Sequence, residues 1–418
     1  MRGPHNILRL IRTGATLERT GAMPVILNAL DAPKTIKFAA RFIVWPFQFL
    51  GRKGDKSLLP APRALTAMGP AYIKFGQILS TRPDVVGPEL AEQLRVLQDR
   101  LPPFSTSVAK QSFKLETGLD ADDVFSHFSE PVAAASIAQV HRGQLRESGH
   151  SVAIKVLRPE IERAFQRDID TFYFAARLVE FVSPKSRRLK PIDVITHFDG
   201  VVQGELDLRL ESASASEFSA NIRNDKGFSV PSINWSLSSR RVMTLDWADG
   251  LPMGDTDALT AAGHNLTELG DRVLHMFLSH ALRDGFFHAD MHQGNLKVSS
   301  NGDIVAFDFG IMGHIDEYTR RVYAEILFGF IKRDYKRVAE VHFEAGYVPQ
   351  DQNVDEFARA LRAVGEPIFG MDASNISMGR LLSYLFEVTE RFGMETRTEL
   401  ILLPVSYTHL TLPTILLV

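Results

Sequence analysis

The 418-residue chain contains no cysteine. That absence excludes disulfides, thiolate zinc sites and cysteine nucleophiles together; a reducing compartment is compatible with it but not demanded. A large charge of either sign is also missing, because 47 Lys and Arg face 50 Asp and Glu, a formal net charge of -3. This balance predicts no polyanion-binding surface, so nucleic acid is not an expected partner. No apolar run approaches the ~20 residues of a membrane span. The longest near the start, residues 42–50, is short and interrupted by Pro46 and Gln48. Arg2, Arg9, Arg12 and Arg19 stand against Glu18. They fit a transit peptide or a membrane-surface helix, and more simply a helix with a solvated basic face. With 45% apolar residues the chain can bury a real core, and its length predicts two or three compact units.

What is present centres on two late segments. Gly285-Phe-Phe-His288-Ala-Asp290-Met-His292-Gln-Gly-Asn295 is followed by Asp308-Phe309-Gly310. An Asp, an Asn five residues on, and a second Asp after an apolar run are the parts that phosphoryl transfer from ATP needs, in order. In a kinase loop the first Asp orients the acceptor proton, while the Asn and the second Asp hold magnesium against the phosphates. Those roles fall to Asp290, Asn295 and Asp308. A short hairpin with Asn301-Gly302 at its tip is expected to return Asp308 beside the loop. Each piece alone is a weak signal. His288 and Asp290, with His292 close behind, also fit an open non-haem iron site, and His288 equally fits a structural histidine bonding loop backbone.

The rest of the chain supplies context. Residues 5–50 read as two or three helical stretches, with Ile7, Leu8, Leu10 and Ile11 on one face and Gly14, Gly21 and Pro24 as punctuation. Residues 51–57 are a polar linker closed by Pro60 and Pro62. Pro70 fits the first turn of a helix, with Tyr72, Ile73, Phe75, Ile78 and Leu79 as its apolar contacts. Lys74 and Gln77 share one face of that helix, able to reach a common polar partner or simply solvated. A second helix is expected from Glu89 to Asp99. From Gly118 the pattern becomes strand-like: residues 132–145 alternate around a small-residue turn, and Ser151–Leu157 follows as a strand. Its Val152-Ala-Ile-Lys155 is the wording of the kinase strand whose Lys binds phosphates, although a lone strand Lys is often an exposed edge residue. Helical patterns run over residues 160–182 and 197–222, the second placing Asp207 and Glu211 on one face, with Glu211 the candidate to orient Lys155. Residues 242–250 read as a strand leading into a short connector, where an interlobe hinge should be, with Asp246 and Trp247 as candidate nucleotide-binding residues. Long helices over residues 266–284, 319–335 and 355–399 predict a helical second lobe.

Taken together, these segments resemble the UbiB and ABC1 family of atypical protein-kinase-like proteins of ubiquinone biosynthesis. The resemblance runs from about Leu65 to Leu403 and includes motifs that ordinary kinases lack. Lys74-Phe-Gly-Gln77 is similar to the family's Lys-x-Gly-Gln signature, and Glu205-Leu-Asp207 to its Glu-x-Asp motif. Ala133, Ala134, Ala135, Ser136, Ile137 and Ala138 resemble its alanine-rich loop, which stands where other kinases carry glycines. Lys155, Glu211, Asp290, Asn295 and Asp308 match its strand Lys, helix Glu, loop Asp and Asn, and metal Asp.

The resemblance implies an α+β bilobal kinase-like fold. Residues 1–117 would form an N-terminal helical extension, 118–250 an N-lobe with inserted helices, and 251–403 a mainly helical C-lobe. It implies ATP and Mg2+ as cofactors, and kinase or ATPase chemistry supporting ubiquinone synthesis rather than general protein phosphorylation. Implied partners are a lipid or quinone-precursor ligand and ubiquinone-biosynthesis enzymes, and the implied location is cytoplasmic with peripheral contact at the inner membrane. Alanines narrow the backbone angles available to a phosphate-binding loop, so nucleotide binding should differ from that of a glycine loop. No Ala-Pro-Glu segment follows Asp308. A nucleotide-gated scaffold and an aminoglycoside- or choline-type kinase are the alternatives; the Lys74 and Ala133 motifs count against the second. Residues 404–418, with two prolines and no helical period, depart from the family and read as a truncated frame or foreign tail.

Overall fold

The computed structural model describes residues 5–29, 33–80, 86–97, 103–182, 191–367 and 378–394. The chain divides into two compact units, residues 1–210 with 233–247 and residues 211–232 with 248–418. The stretch beyond Met394, including the end of the last expected helix and the 404–418 tail, lies outside the described residues, as does Asp99.

In the first unit the chain opens with α1 (His5–Thr20), α2 (Ala22–Ala29) and α3 (Lys34–Val44), which passes into a 3-10 turn (Trp45–Leu50). The expected apolar face of α1 is corrected by the structure. Ile7 and Leu8 are 53% and 59% exposed, whereas Ala15, Thr16 and Thr20 are buried. Gly14 is no breaker but sits mid-helix, where an added Cβ would lie 2.9 Å from a Val44 methyl. Small residues here let neighbouring backbones approach, and that closeness decides which face is covered.

The helices α4 (Pro60–Met68) and α5 (Pro70–Ser80) both carry Pro at their first position, where a missing N–H costs nothing. Tyr72 and Phe75 of α5 enter a four-ring cluster with Phe172 and Phe198, ring centroids 4.7–5.8 Å apart. The next helix, α6 (Pro88–Leu94), ends earlier than expected, in a turn over residues 95–96. Then follow α7 (Thr106–Thr117) and the single turn α8 (Ala121–Val124).

A sheet comes next: β1 (Phe125–Ala134), β2 (Ala138–Leu145) and β3 (Ser151–Leu157), joined after three helices by β5 (Val242–Asp246). Its order is β1-β2-β3-β5, all antiparallel. Strand β3 has the expected bounds. Its Val152, Ile154 and Val156 alternate inward onto Phe113 of α7 and Phe125 of β1, the period-2 burial of a strand covered on one face. The intervening helices are α9 (Ile161–Val182), α10 (Pro191–Glu205) and α11 (Leu208–Asn221), and the boundary between units falls inside α11. The single helix expected over 197–222 is thus two. Asp207 stands in the break, its Oδ1 accepting the Arg209 N–H at 3.1 Å, so it caps α11 and does not share a helical face with Glu211.

The second unit begins with the rest of α11 and β4 (Phe228–Ser229), and resumes with β6 (Leu251–Pro252), α12 (Thr256–Ala261) and α13 (Leu266–Ser279). Strands β7 (Phe286–His288), β8 (Leu296–Val298), β9 (Ile304–Ala306) and β10 (Met312–His314) make two small sheets, β10-β7 and β4-β9-β8-β6. The helices α14 (Glu317–Ile331), α15 (Tyr335–Glu344), α16 (Val354–Gly365) and α17 (Met378–Arg391) follow. The helix expected over 319–335 breaks at Arg333, which adopts φ 58°, and Asp334 then caps α15 by accepting the Arg337 N–H at 3.1 Å. Tyr335, Val338, Phe343, Phe357, Leu361 and Phe392 form the core of this helical part.

Candidate active site

The two units carry different parts, each built locally. In the first, β1 and β2 are joined by the alanine-rich turn, closed by the Ala135 N–H donating to the Ala138 carbonyl at 2.8 Å. Arg158, just after β3, fixes its shape. The guanidinium donates twice to the Ala135 carbonyl, at 3.0 and 2.9 Å, and the Arg158 N–H donates to the Ile137 carbonyl at 2.8 Å. A trans peptide sets N–H opposite C=O, so the Ser136 amide is turned away from Arg158. The Ser136 hydroxyl is buried and has no hydrogen-bond partner among the described residues. An orphaned buried hydroxyl is costly, and a phosphate oxygen is a fitting acceptor for it.

Lys155 sits on β3 between β2 and β5, opposite Val140 and Met243. It is therefore on an inner strand, and the edge-residue reading is excluded. Asp246 ends β5 with Oδ1 2.9 Å from His150 Nε2, and the Arg142 guanidinium lies 4.9 Å from the centre of the Trp247 ring. On the helical side of this unit, Lys74 Nζ is 2.7 Å from Glu205 Oε1, with side chains only 11% and 8% exposed. The solvated-pair reading of Lys74 is thereby excluded. Gln77 Nε2 donates to the Leu97 carbonyl at 2.9 Å. The Arg209 guanidinium holds the Asp207 carboxyl below the usual carboxylate range.

In the second unit the loop after β7 carries the other residues. Gly285 turns the chain into β7 with φ 69°, a conformation that glycine adopts without strain. Strand β7 pairs with β10, and β8 with β9 as the expected hairpin, Gly302 at its tip with φ 83°. Because Leu296 pairs with Ala306 and the Phe307 N–H donates to the Asn295 carbonyl at 3.3 Å, the hairpin returns the chain beside Asn295 one residue before Asp308. Asn295 Nδ2 donates to the Asp290 carbonyl at 3.0 Å. With its amide nitrogen so committed, Asn295 keeps its amide oxygen for another partner. Asp308 Oδ1 accepts the Gly310 N–H at 3.1 Å. Asp290 is more open, its side chain 42% exposed and 3.8 Å from His292 Nε2.

His288 ties these pieces together. Its Nδ1 accepts the Asp290 N–H at 3.1 Å and its Nε2 donates to the Asp308 carbonyl. Those partners assign the neutral Nε2–H tautomer, and burial holds the ring below the ordinary histidine pKa. Both ring nitrogens are spent on backbone, so the iron-ligand reading is overturned and the structural one stands. Among the described residues no three His, Asp or Glu side chains are grouped to hold a metal. Asn295 and Asp308 instead offer two hard oxygen ligands, a set that fits Mg2+, which keeps waters and takes phosphate oxygens for the remainder.

Beneath the loop, Phe309 is buried against Phe218 and His288, with ring centroids 5.6 and 5.7 Å away. Phe218 meets His280 at 4.7 Å, and Asp225 receives His280 at 3.2 Å and Arg283 at 2.8 and 2.9 Å. Arg283 holds the Asp225 carboxyl below its usual range. Sequence reasoning missed Arg158 and this column. An Arg between a strand and Pro159 was a legible position without a legible partner. Glu211 is buried at the start of the second unit's share of α11.

Comparison with known proteins decides the family. The model of the ABC1 atypical kinase-like domain matches residues 96–342, and that of the UbiB helical domain residues 361–406. The chain belongs to the ABC1 atypical kinase-like family. It is 41% identical over 345 residues to the probable protein kinase UbiB of Aliivibrio fischeri (strain MJ11), covering 81% of this chain and 63% of that protein. It is 39% identical over 383 residues to the probable protein kinase UbiB of Marinobacter nauticus, covering 90% and 69%. The chain thus spans about two thirds of the length of these relatives. A solved structure of Rv3197 with erythromycin from Mycobacterium tuberculosis shares the fold, with TM-score 0.54, 23% identity, and coverage of 82% of this chain and 87% of that one. The expected kinase-like α+β fold is shown by these matches. Within the ABC1 match lie the alanine turn, Lys155, Asp290, Asn295 and Asp308; Lys74 and Gln77 precede it.

Proposed function

We propose that this chain is an ATP- and Mg2+-dependent atypical kinase or ATPase that supports ubiquinone synthesis, acting on a small molecule or a lipid-linked process at a membrane surface. The observation that carries the reading is the second unit's loop. Asn295 is held with its amide oxygen uncommitted to the loop, the hairpin returns Asp308 beside it, and His288 fastens both segments.

Bound ATP supplies the phosphoryl group. In the second unit Asn295 and Asp308 would hold Mg2+; in the first, Lys155 on its rigid strand would neutralise phosphate charge; Glu211 keeps the role of the helix acid. The alanine turn, Ala133 to Ala138, would bind phosphate oxygens through the Ser136 amide and hydroxyl. Asp246 and Trp247 bound the base. Asp290, exposed and set by its backbone bond to His288, orients the acceptor hydroxyl or water. Lys74, Gln77, Glu205 and Asp207 would serve as regulatory residues. Partners on this reading are a lipid or quinone precursor and other enzymes of ubiquinone synthesis.

Measuring ATP turnover and ATP binding on the same samples tests this. Asp290→Asn should bind ATP like the parent and lose turnover at least ~100-fold, the usual contribution of a positioned acid or base. Undiminished turnover would remove Asp290 from the chemistry. The second reading, a nucleotide-gated scaffold, is favoured by the substitution of alanines for a glycine loop. Restoration of ubiquinone synthesis in a deficient strain by Asp290→Asn would select it.

A further inference from the structure

Helix α3 and the turn after it present an unusual face. Phe38, Phe42, Ile43, Trp45 and Phe49 are 64–74% exposed. Helix α3 packs on α1 through Val44, which meets Gly14. Phe38 and Phe42, four residues apart, therefore point the other way, and their rings stack with centroids 6.3 Å apart and planes 15° from parallel. Trp45 follows at the next helical step. Lys34, Lys37 and Arg41 recur at spacings of three and four, which places them along one edge of the aromatic stripe. Lys37 Nζ is tethered 2.6 Å from Asn28 Oδ1, and Arg41 Nε 2.9 Å from Glu18, with Arg41 61% exposed. Residues 33–50 contain no Asp or Glu.

Charge separates this region from the rest of the chain. Residues 1–50 hold seven Lys or Arg against Glu18 and Asp31, whereas the remaining 368 hold forty against forty-eight. An otherwise acidic protein thus carries its aromatic ridge on its basic portion. Five large apolar side chains left in water on one short element mark an interaction surface. The 11 residues of α3 are too few to cross a bilayer, and among the described residues no helix is long and apolar enough to do so. An aromatic face edged by cations is instead the composition of a helix lying in the membrane interface, where Trp favours the headgroup level and cations meet anionic lipid.

We propose that α3 and the following 3-10 turn are an interfacial anchor for an anionic lipid surface, with Phe38, Phe42, Trp45 and Phe49 inserted and Lys34, Lys37 and Arg41 at the headgroups. This deepens the membrane contact proposed above and rests on it alone; the nucleotide chemistry is separate, and the test contains no nucleotide.

The full chain is floated with vesicles of phosphatidylcholine containing about one third phosphatidylglycerol, a fraction high enough for several anionic headgroups to meet three cations. The parent should bind, and binding should weaken with salt. Phe38→Ser/Phe42→Ser/Trp45→Ser should lower partitioning at least about tenfold with an unchanged melting temperature, since these side chains are exposed. Lys34→Gln/Lys37→Gln/Arg41→Gln should lower it at least about tenfold on anionic vesicles only. Phe328→Ser/Ile331→Ser, an exposed pair of α14 at 62% and 69%, should bind like the parent. The proposal is overturned if both α3 variants bind as the parent does. It is equally overturned if the serine variant abolishes self-association in lipid-free gel filtration while vesicle binding persists, which would make the ridge an interface between copies.

Discussion

The Lys74–Glu205 pair offers a prediction whose size follows from its surroundings. The two charged groups are 2.7 Å apart with side chains 11% and 8% exposed. Removing either partner takes an opposite charge out of a site that water barely reaches, and breaking a buried pair this way costs about 3–5 kcal/mol. For a unit of this size each kcal/mol moves the melting temperature roughly 2–4 °C, so Glu205→Gln and Lys74→Met should each melt roughly 6–20 °C below the parent. The double variant removes both charges and should recover much of that loss, because desolvation of the pair offsets most of its attraction. The assay is calorimetry of the four proteins under one buffer condition. Single variants melting within about 2 °C of the parent, a loss of under ~1 kcal/mol typical of exposed pairs, would refute the reasoning. So would a double variant as unstable as the two losses added together.

Three further outcomes follow from the geometry. Burial lowers the pKa of His280, His288 and His342, so near and below the ordinary value of ~6.5 the unfolded chain binds more protons than the folded one. Stability should be complete above about pH 7.5, where neither state is protonated, and fall as pH drops through ~6.5 to about 5.5; denaturant unfolding stability that is flat or rising as pH drops over this window would contradict the assignment. Phe309→Ala empties a buried site between Phe218 and His288 and should cost about 3–5 kcal/mol in denaturant unfolding; a cost below ~1 would show that the column does not support the loop. Arg158→Met removes both guanidinium bonds to the Ala135 carbonyl and should weaken ATP affinity roughly tenfold or more by titration calorimetry. Unchanged affinity would separate the alanine turn from the nucleotide.

What was legible in the sequence was local. The β3 strand alternates over its own seven residues and was readable with its bounds, and the Asn301-Gly302 turn dictates its own hairpin, which was readable by its tip. Pro70 announced α5 for the same reason. Periodicity failed where a cap competed with it: the pattern over 197–222 continues through Asp207, yet that carboxylate stops one helix and starts the next. Arg333 and Asp334 divide the later helix in the same way. The face of α1 was misjudged because small residues, not large aliphatic ones, define its contact with α3. Lys74 and Glu205 could each be picked out as motifs, but their pairing is tertiary and no spacing encodes it. The same holds for His288, whose structural role depends on where the Asp308 carbonyl arrives.

The most direct test of the central claim is a thermal-shift titration of the parent and Asp308→Asn with ATP, with and without Mg2+. A ligand that binds the folded state stabilises it as RT ln(1 + [L]/Kd). The account predicts that the parent's midpoint rises with ATP only when Mg2+ is present, and that Asp308→Asn, equally folded, shows no such rise. An equal, Mg2+-dependent rise in both proteins would remove Asp308 from the metal site, and no rise in the folded parent would contradict nucleotide binding itself.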